Sequence, residues 1–177
     1  MTTILLARHG ETDWNAELRV QGQADPSLND RGRDQAHALA ASLAAEDIDA
    51  MYSSDLARAR ETAEIVGGGL SLEVHLDPRL REFDTGNWTG LTRDEIRTRF
   101  PDDDRHDGET RDELVTRVGA ALEDICERHP DDRVLVVTHG GPLRAVLTHC
   151  GIDGVARIEN CHVVRVEVVD GGLRGVD

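Results

Sequence analysis

Lysine is absent from this sequence: all 20 basic residues are arginine, and they face 35 aspartates and glutamates, for a formal net charge of -15 at pH 7. A field of that sign repels a phosphodiester backbone, which argues against nucleic acid as a partner. Aromatic residues make up only 3% of the chain. Strong acidity with few aromatics fits a salt-rich cytoplasm, whereas arginine in place of lysine fits a GC-rich genome equally well, and composition does not choose between them. Cysteine is scarce too: Cys126, Cys150 and Cys161 are an odd number without a Cys-x-x-Cys pair, which speaks against a disulfide scaffold and a zinc knuckle. No apolar run approaches the ~20 residues of a membrane helix, and no basic leader precedes a long apolar stretch. These absences predict a soluble, cytoplasmic protein without nucleic-acid or membrane partners. The 177 residues are most simply one domain, 1–177, able to bury roughly 70% of the surface of the unfolded chain.

The pattern along the chain alternates strands and helices. Thr3 to Ala7, Ala50 to Ser53 and Arg133 to Thr138 are short, nearly continuous apolar runs, suited to strands buried on both faces. Asn29 is placed to cap a helix with Ala36, Leu39, Ala40 and Leu43 inward. Ser54 or Asp55 is expected to cap the next, with Leu56, Ala59, Ala63 and Val66 on one face until Gly67-Gly68-Gly69 stops it. Leu72 to His75 reads as an edge strand, Pro78 to Gly90 as a loop, and the Pro101 to Asp104 run as solvated loop. Thr110 and Glu113 form a capping box for a long helix with Leu114, Val115, Val118, Leu122, Ile125 and Cys126 inward, ending near His129-Pro130. Pro142 to Cys150 completes the helices, and His162 to Val169 alternates as a strand. Such an order predicts an α/β three-layer sandwich, a mostly parallel central sheet with helices on both faces.

Two of the apolar runs end in the same way, Leu6-Ala7-Arg8-His9-Gly10 and Val137-Thr138-His139-Gly140-Gly141. In α/β sheets ligands collect at the carboxyl ends of the strands, so His9 and His139 share a pocket if their strands are neighbours. Arg8 beside His9 points to an anionic guest. A zinc site is the rival for two histidines, but the neighbours are arginines, and no His-x-His or His-x-x-x-His spacing accompanies them. The expectation is no metal and no cofactor.

Four blocks, in order, resemble the histidine phosphatase superfamily, in its phosphoglycerate-mutase-like branch: Arg8-His9-Gly10-Glu11-Thr12 followed by Asn15; Ser53-Ser54-Asp55-Leu56-Ala57-Arg58-Ala59-Arg60-Glu61-Thr62-Ala63; Leu80-Arg81-Glu82 through Gly86, Trp88 and Gly90; and Thr138-His139-Gly140-Gly141. The resemblance implies a phosphoglycerate-mutase-like fold and a phosphoryl-transfer site. His9 becomes the nucleophile, kept neutral by Arg8 and Arg58, whose planar forks clamp phosphate oxygens. It also selects Arg58 over Arg60, in the first turn of its helix where an anion is already favoured. His139 stabilises the transferring charge, Glu82 donates the proton to the leaving group and then activates water, and Asn15 and the Gly140 N–H are secondary phosphate contacts. Trp14 and Trp88 are placed at the pocket mouth or over the core, and His37, His106, His129 and His149 at the surface or at helix ends.

Cofactor-dependent phosphoglycerate mutases of the family carry a long insertion with paired arginines before the capped helix. Here only Leu91 to Asp107 fills that gap, without adjacent arginines. The sequence therefore predicts a phosphomonoesterase acting on a small phosphorylated metabolite, with an open pocket and broad tolerance. A mutase, a protein phosphohistidine phosphatase and a non-catalytic phosphate-binding module are the alternatives. Arg81 and Arg93 are candidates for a substrate's acidic tail, though ordinary surface roles are favoured, and Glu109 is a candidate for the site border.

Overall fold

Segments in which every side chain is apolar can satisfy both neighbouring layers only as central strands. In the computed structural model, which describes residues 2–102, 105, 107–152, 157–169 and 172–175, β1 (Thr3–Arg8) and β4 (Arg133–Thr138) are such strands and pair in parallel. Between them in sequence lie α1 (Asp13–Ala16), α2 (Asp30–Leu43), β2 (Ala50–Ser53), α3 (Ala57–Leu70), β3 (Val74–Leu76), α4 (Arg93–Arg99) and α5 (Arg111–Arg128). After β4 come α6 (Gly140–His149), β5 (Val163–Val169) and β6 (Gly172–Gly175). The sheet order is β3-β2-β4-β1-β5-β6, with β5 antiparallel to β1 and β6 antiparallel to β5. The β2–β3, β2–β4 and β1–β4 pairings are parallel, so the expected mostly parallel sheet is present.

Period-two alternation divides the core. Ile4, Leu6, Val134 and Val136 pack with Leu114, Val118, Leu122 and Ile125 of α5 and with Leu143 and Val146 of α6. Leu5, Ala7, Leu135 and Val137 face the other way, onto Leu39, Ala40 and Leu43 of α2 and Ala59, Ala63 and Val66 of α3. Each fully buried Leu, Ile or Val contributes about 1.5–3 kcal/mol. Both helix layers are thereby fixed to the strands that end in His9 and His139.

Several boundaries differ from the sequence pattern, each for a local reason. Ser54 and Asp55 do not cap α3, whose N-cap is Leu56 with no side-chain hydrogen bond. Ser54 is engaged with His139, and Asp55 with Arg81. Asp25, remote in sequence, accepts from the Ala57 N–H instead, at 2.5 Å. Helix α6 starts at Gly140, two residues before Pro142, because a proline is tolerated in the first turn. The short helices α1 and α4, each opened by a capping box (Thr12 with Asn15, Thr92 with Glu95), lie in stretches without a helical apolar stripe, and β6 was not foreseen. His106 and residues 103 and 104 of the acidic run lie outside the described residues. No helix among the described residues is long and apolar enough to cross a membrane.

The Gly67-Gly68-Gly69 run does not stop α3. The helix continues through Leu70 and ends on Ser71 in the left-handed region, φ 59°. Two of these glycines are spacers: a Cβ on Gly67 would lie 2.8 Å from the Leu72 carbonyl oxygen, and one on Gly69 2.9 Å from Ala40 Cβ of α2. Gly68 has nothing within 4 Å. Gly68→Ala should therefore stabilise the fold by roughly 0.5–1 kcal/mol through helix propensity. Gly67→Ala should destabilise it despite the same propensity gain, and urea unfolding of the two variants checks the opposite signs.

Candidate active site

The register of β1 on β4 sets the centre of the site. Arg8 lies opposite Thr138, so the next residue on each strand is a histidine, and the His9 N–H donates to the Thr138 carbonyl at 3.0 Å. The two imidazole centroids are 5.1 Å apart, with His9 2% exposed and His139 fully buried. Strand β2, on the other side of β4, ends in Ser53-Ser54 and brings the Ser54 hydroxyl to 2.9 Å from His139 Nε2. The Leu80–Glu82 segment is tied to the end of β4 and the start of α6, Thr138 Oγ1 donating to the Leu80 carbonyl at 2.7 Å and the Gly141 N–H to Glu82 Oε1 at 2.9 Å. Only a glycine at 141 permits this, since a Cβ there would collide with that carboxylate.

His9 has its tautomer fixed by the backbone. Its Nδ1 lies 2.6 Å from the Gly10 carbonyl, which can only accept, so the proton sits on Nδ1 and Nε2 keeps its lone pair. Burial, then the fields of Arg58 and Arg8, hold its pKa well below the ordinary 6.5. His139 is lowered in the same way, first by burial and then by Arg58, His9 and Arg8. Both rings are neutral at physiological pH.

Arg58, at the second position of α3, is fully buried. Nη1 donates to the Ala24 carbonyl (2.7 Å) and Nη2 to the Gly22 carbonyl (2.8 Å). Burial lowers its pKa to about 10, with Glu82 and Asp25 opposing. Arg8 donates through Nη1 to the Ile158 carbonyl, at 2.5 Å, and is likewise lowered by burial. Among the described residues, Arg8 Nε, Arg58 Nε and His139 Nδ1 are buried without a hydrogen-bond partner. A buried polar atom without a partner costs about 1–3 kcal/mol. Arg8, Arg58 and His139 lie within each other's electrostatic reach, and guanidinium N–H groups so grouped suit an anion with several acceptor oxygens. The Gly140 backbone borders this group: a Cβ there would lie 3.8 Å from Arg8 Nε and 3.6 Å from Arg144 Nη1.

The structure therefore brings His9, His139, Arg8, Arg58, Glu82 and Gly140 together. Asn15 stands at the edge, its Oδ1 accepting from the Thr12 N–H and from Asn160 Nδ2, which also donates to the His9 carbonyl at 3.0 Å. Arg81 is instead a bidentate partner of Asp55 (2.7 and 2.6 Å), and Arg93 is an exposed first residue of α4. Glu109 meets Arg117 rather than the imidazoles. Trp14 packs beside Gly90 and Trp88 lies under Arg105, with His37 and His149 exposed on helices and His129 at the end of α5. Sequence reasoning gave no place in the site to Ser54, to Thr62, whose Oγ1 accepts from the Gly10 N–H, to Asn160, Arg144 or Arg117. Ser54 and Thr62 stand inside the second sequence block, Arg144 lies one turn after Gly140 on α6, and Asn160 and Arg117 are brought in only by tertiary structure.

The chain is similar to known proteins over most of its length. Phosphoserine phosphatase 1 of Hydrogenobacter thermophilus is 36% identical over 166 residues, covering 88% of this chain and 78% of that protein. Phosphoglycerate mutase-like protein 4 of Arabidopsis thaliana is 42% identical over 157 residues, covering 81% and 68%. The structure of a mycobacterial glucosyl-3-phosphoglycerate phosphatase complexed with VO3 superposes with a TM-score of 0.89 at 29% identity, over 98% of this chain and 96% of the other. Residues 4–176 match the family described as "Histidine phosphatase superfamily (branch 1)". With its paired imidazoles and arginines at the strand ends and its sequence matched almost end to end, the chain belongs to that superfamily.

Proposed function

We propose that this protein is a metal-independent phosphomonoesterase that hydrolyses a small phosphorylated metabolite through a phosphohistidine on Nε2 of His9. The observation that carries the reading is the group of buried nitrogens without partners, Arg8 Nε, Arg58 Nε and His139 Nδ1, beside a neutral His9 ring. They suit three phosphoryl oxygens, with Asn15 and the Gly140 N–H as further contacts. His9 Nε2 attacks phosphorus, the ester P–O bond breaks, and the Glu82 carboxyl gives its proton to the departing oxygen. The Glu82 carboxylate then takes a proton from water, whose oxygen attacks phosphorus, and the P–N bond breaks to release phosphate. Charge stabilisation by two guanidiniums replaces what a dication would supply, and it repels one. Relatives named for phosphoserine and for glucosyl-3-phosphoglycerate support a small phosphate ester as substrate. A relative named phosphoglycerate mutase-like keeps isomerisation as the second reading, which the short Leu91 to Asp107 segment disfavours.

A panel of phosphate esters, assayed with a chelator present, tests this. Wild type should turn over unaffected by chelation, and His9→Ala should lose on the order of 10³-fold or more. Undiminished turnover in His9→Ala refutes the phosphohistidine, and loss on chelation restores a metal.

The neutral histidines also set a pH dependence. Their folded pKa values lie below the ordinary 6.5, so the unfolded chain binds protons first as pH falls. Stability is full above about pH 6.5 and declines below it, by up to about 1.4 kcal/mol per pH unit for each ring. Between about pH 6.5 and pH 5 the urea midpoint of wild type should fall more steeply than that of His9→Asn. Equal slopes would show that His9 is not held neutral.

A further inference from the structure

The Arg81–Asp84 stretch that carries Glu82 lies outside the helices and strands, so its position has to be fixed by something beyond its own backbone ladder. Arg117, near the middle of α5, supplies that. Its Nη1 donates to the carbonyls of Arg79 and Arg81 (both 2.8 Å), and its Nη2 donates to the carbonyl of Glu82 itself (2.9 Å). Nη2 and Nε also meet the Glu109 carboxylate, at 2.8 and 2.5 Å. One planar group thus holds three carbonyls of a four-residue arc, and Glu109 holds the group. The pair is well sheltered, with side chains 21% and 11% exposed. Behind it lies a cleft lined by Gln23, Asp84, Glu109, Thr116 and Arg117 rather than apolar core. Gln23 Nε2 adds only a 3.3 Å bond to the Glu82 carbonyl. Of the described side chains that bond the Arg79–Glu82 carbonyls, Arg117 takes three, Thr138 and Gln23 one each.

We propose that Arg117, braced by Glu109, is a positioning residue for proton transfer: it fixes the Arg79–Glu82 arc so that the Glu82 carboxyl stands at the departing ester oxygen. The proposal rests on the reading of Glu82 as proton donor. As the ester P–O bond breaks and oxygen takes the bonding pair, the proton leaves Glu82 for that oxygen, and a misplaced carboxyl cannot deliver it. Lysine cannot substitute, because a single ammonium lacks the planar fork that reaches three carbonyls and a carboxylate together.

The test is the dependence of kcat/KM on the leaving group, which reports only steps up to alcohol release. Phosphoserine needs a proton on its leaving oxygen, and p-nitrophenyl phosphate does not. Glu82→Gln should lose about 10²–10⁴-fold on phosphoserine and under about tenfold on the aryl ester. Arg117→Met and Arg117→Lys should show the same selectivity, roughly 10–10²-fold on phosphoserine against less than about threefold on the aryl ester. Combining Arg117→Met with Glu82→Gln should add no further selective loss. Glu109→Gln should shift the ratio the same way by less, and it carries the test should Arg117→Met not fold. Equal losses on both esters, or none, in the Arg117 and Glu109 variants overturn the proposal while a selective Glu82→Gln leaves the proton-donor reading standing. A non-selective Glu82→Gln removes both.

Discussion

Two guanidinium groups buried beside two imidazoles form the constraint on which the rest of the site depends. Left to itself such a cluster is unfavourable, because burial strips the cations of water and each repels the other. The fold manages it in two ways. Backbone carbonyls of Gly22, Ala24 and Ile158 take the terminal nitrogens, and both histidines stay neutral. Among the described residues, the buried nitrogens without a partner include Arg8 Nε, Arg58 Nε and His139 Nδ1. On the function proposed above, affinity for a phosphoryl group and a basic nucleophilic nitrogen are two results of one electrostatic arrangement, at the ends of the paired strands β1 and β4.

Much of this was legible in the residues. Continuous apolar runs located β1, β2 and β4, the Thr110 and Glu113 capping box located the start of α5, and the motif order located His9, Arg58, Glu82 and His139. These features have local causes, or lie in a pattern that matches a family. The errors arose where distant residues decide. Gly67-Gly68-Gly69 reads as a helix stop, yet the run continues because α2 and the Leu72 carbonyl need the space a side chain would fill. Ser54 and Asp55 read as caps, yet one is taken by His139 and the other by Arg81. Arg117 looked like any polar residue on an amphipathic helix, because nothing local shows that three carbonyls from another segment converge on it.

The acidic surface and the basic site are compatible because the arginines are not spread evenly. Several half-buried arginines are paired with neighbouring carboxylates, as Arg79 is with Asp77 and Asp124 and Arg133 with Glu46, and such pairs near the surface contribute little each. Arg8 and Arg58 are matched mainly by carbonyl dipoles, which leaves their charge to act on a ligand. A net charge of -15 slows the approach of anions over the surface as a whole. Capture then depends on the local field at the floor of the site.

The central claim is that His9 Nε2 bonds to phosphorus during turnover, and the most direct measurement is to catch that bond. The enzyme is mixed with a phosphate ester, quenched within one turnover into alkali, digested, and its peptides are examined by mass spectrometry. The account predicts an acid-labile, alkali-stable phosphoryl group on the peptide containing His9, absent from His9→Ala. Turnover with no phosphorylated peptide, or with the phosphoryl group on another residue, would contradict it.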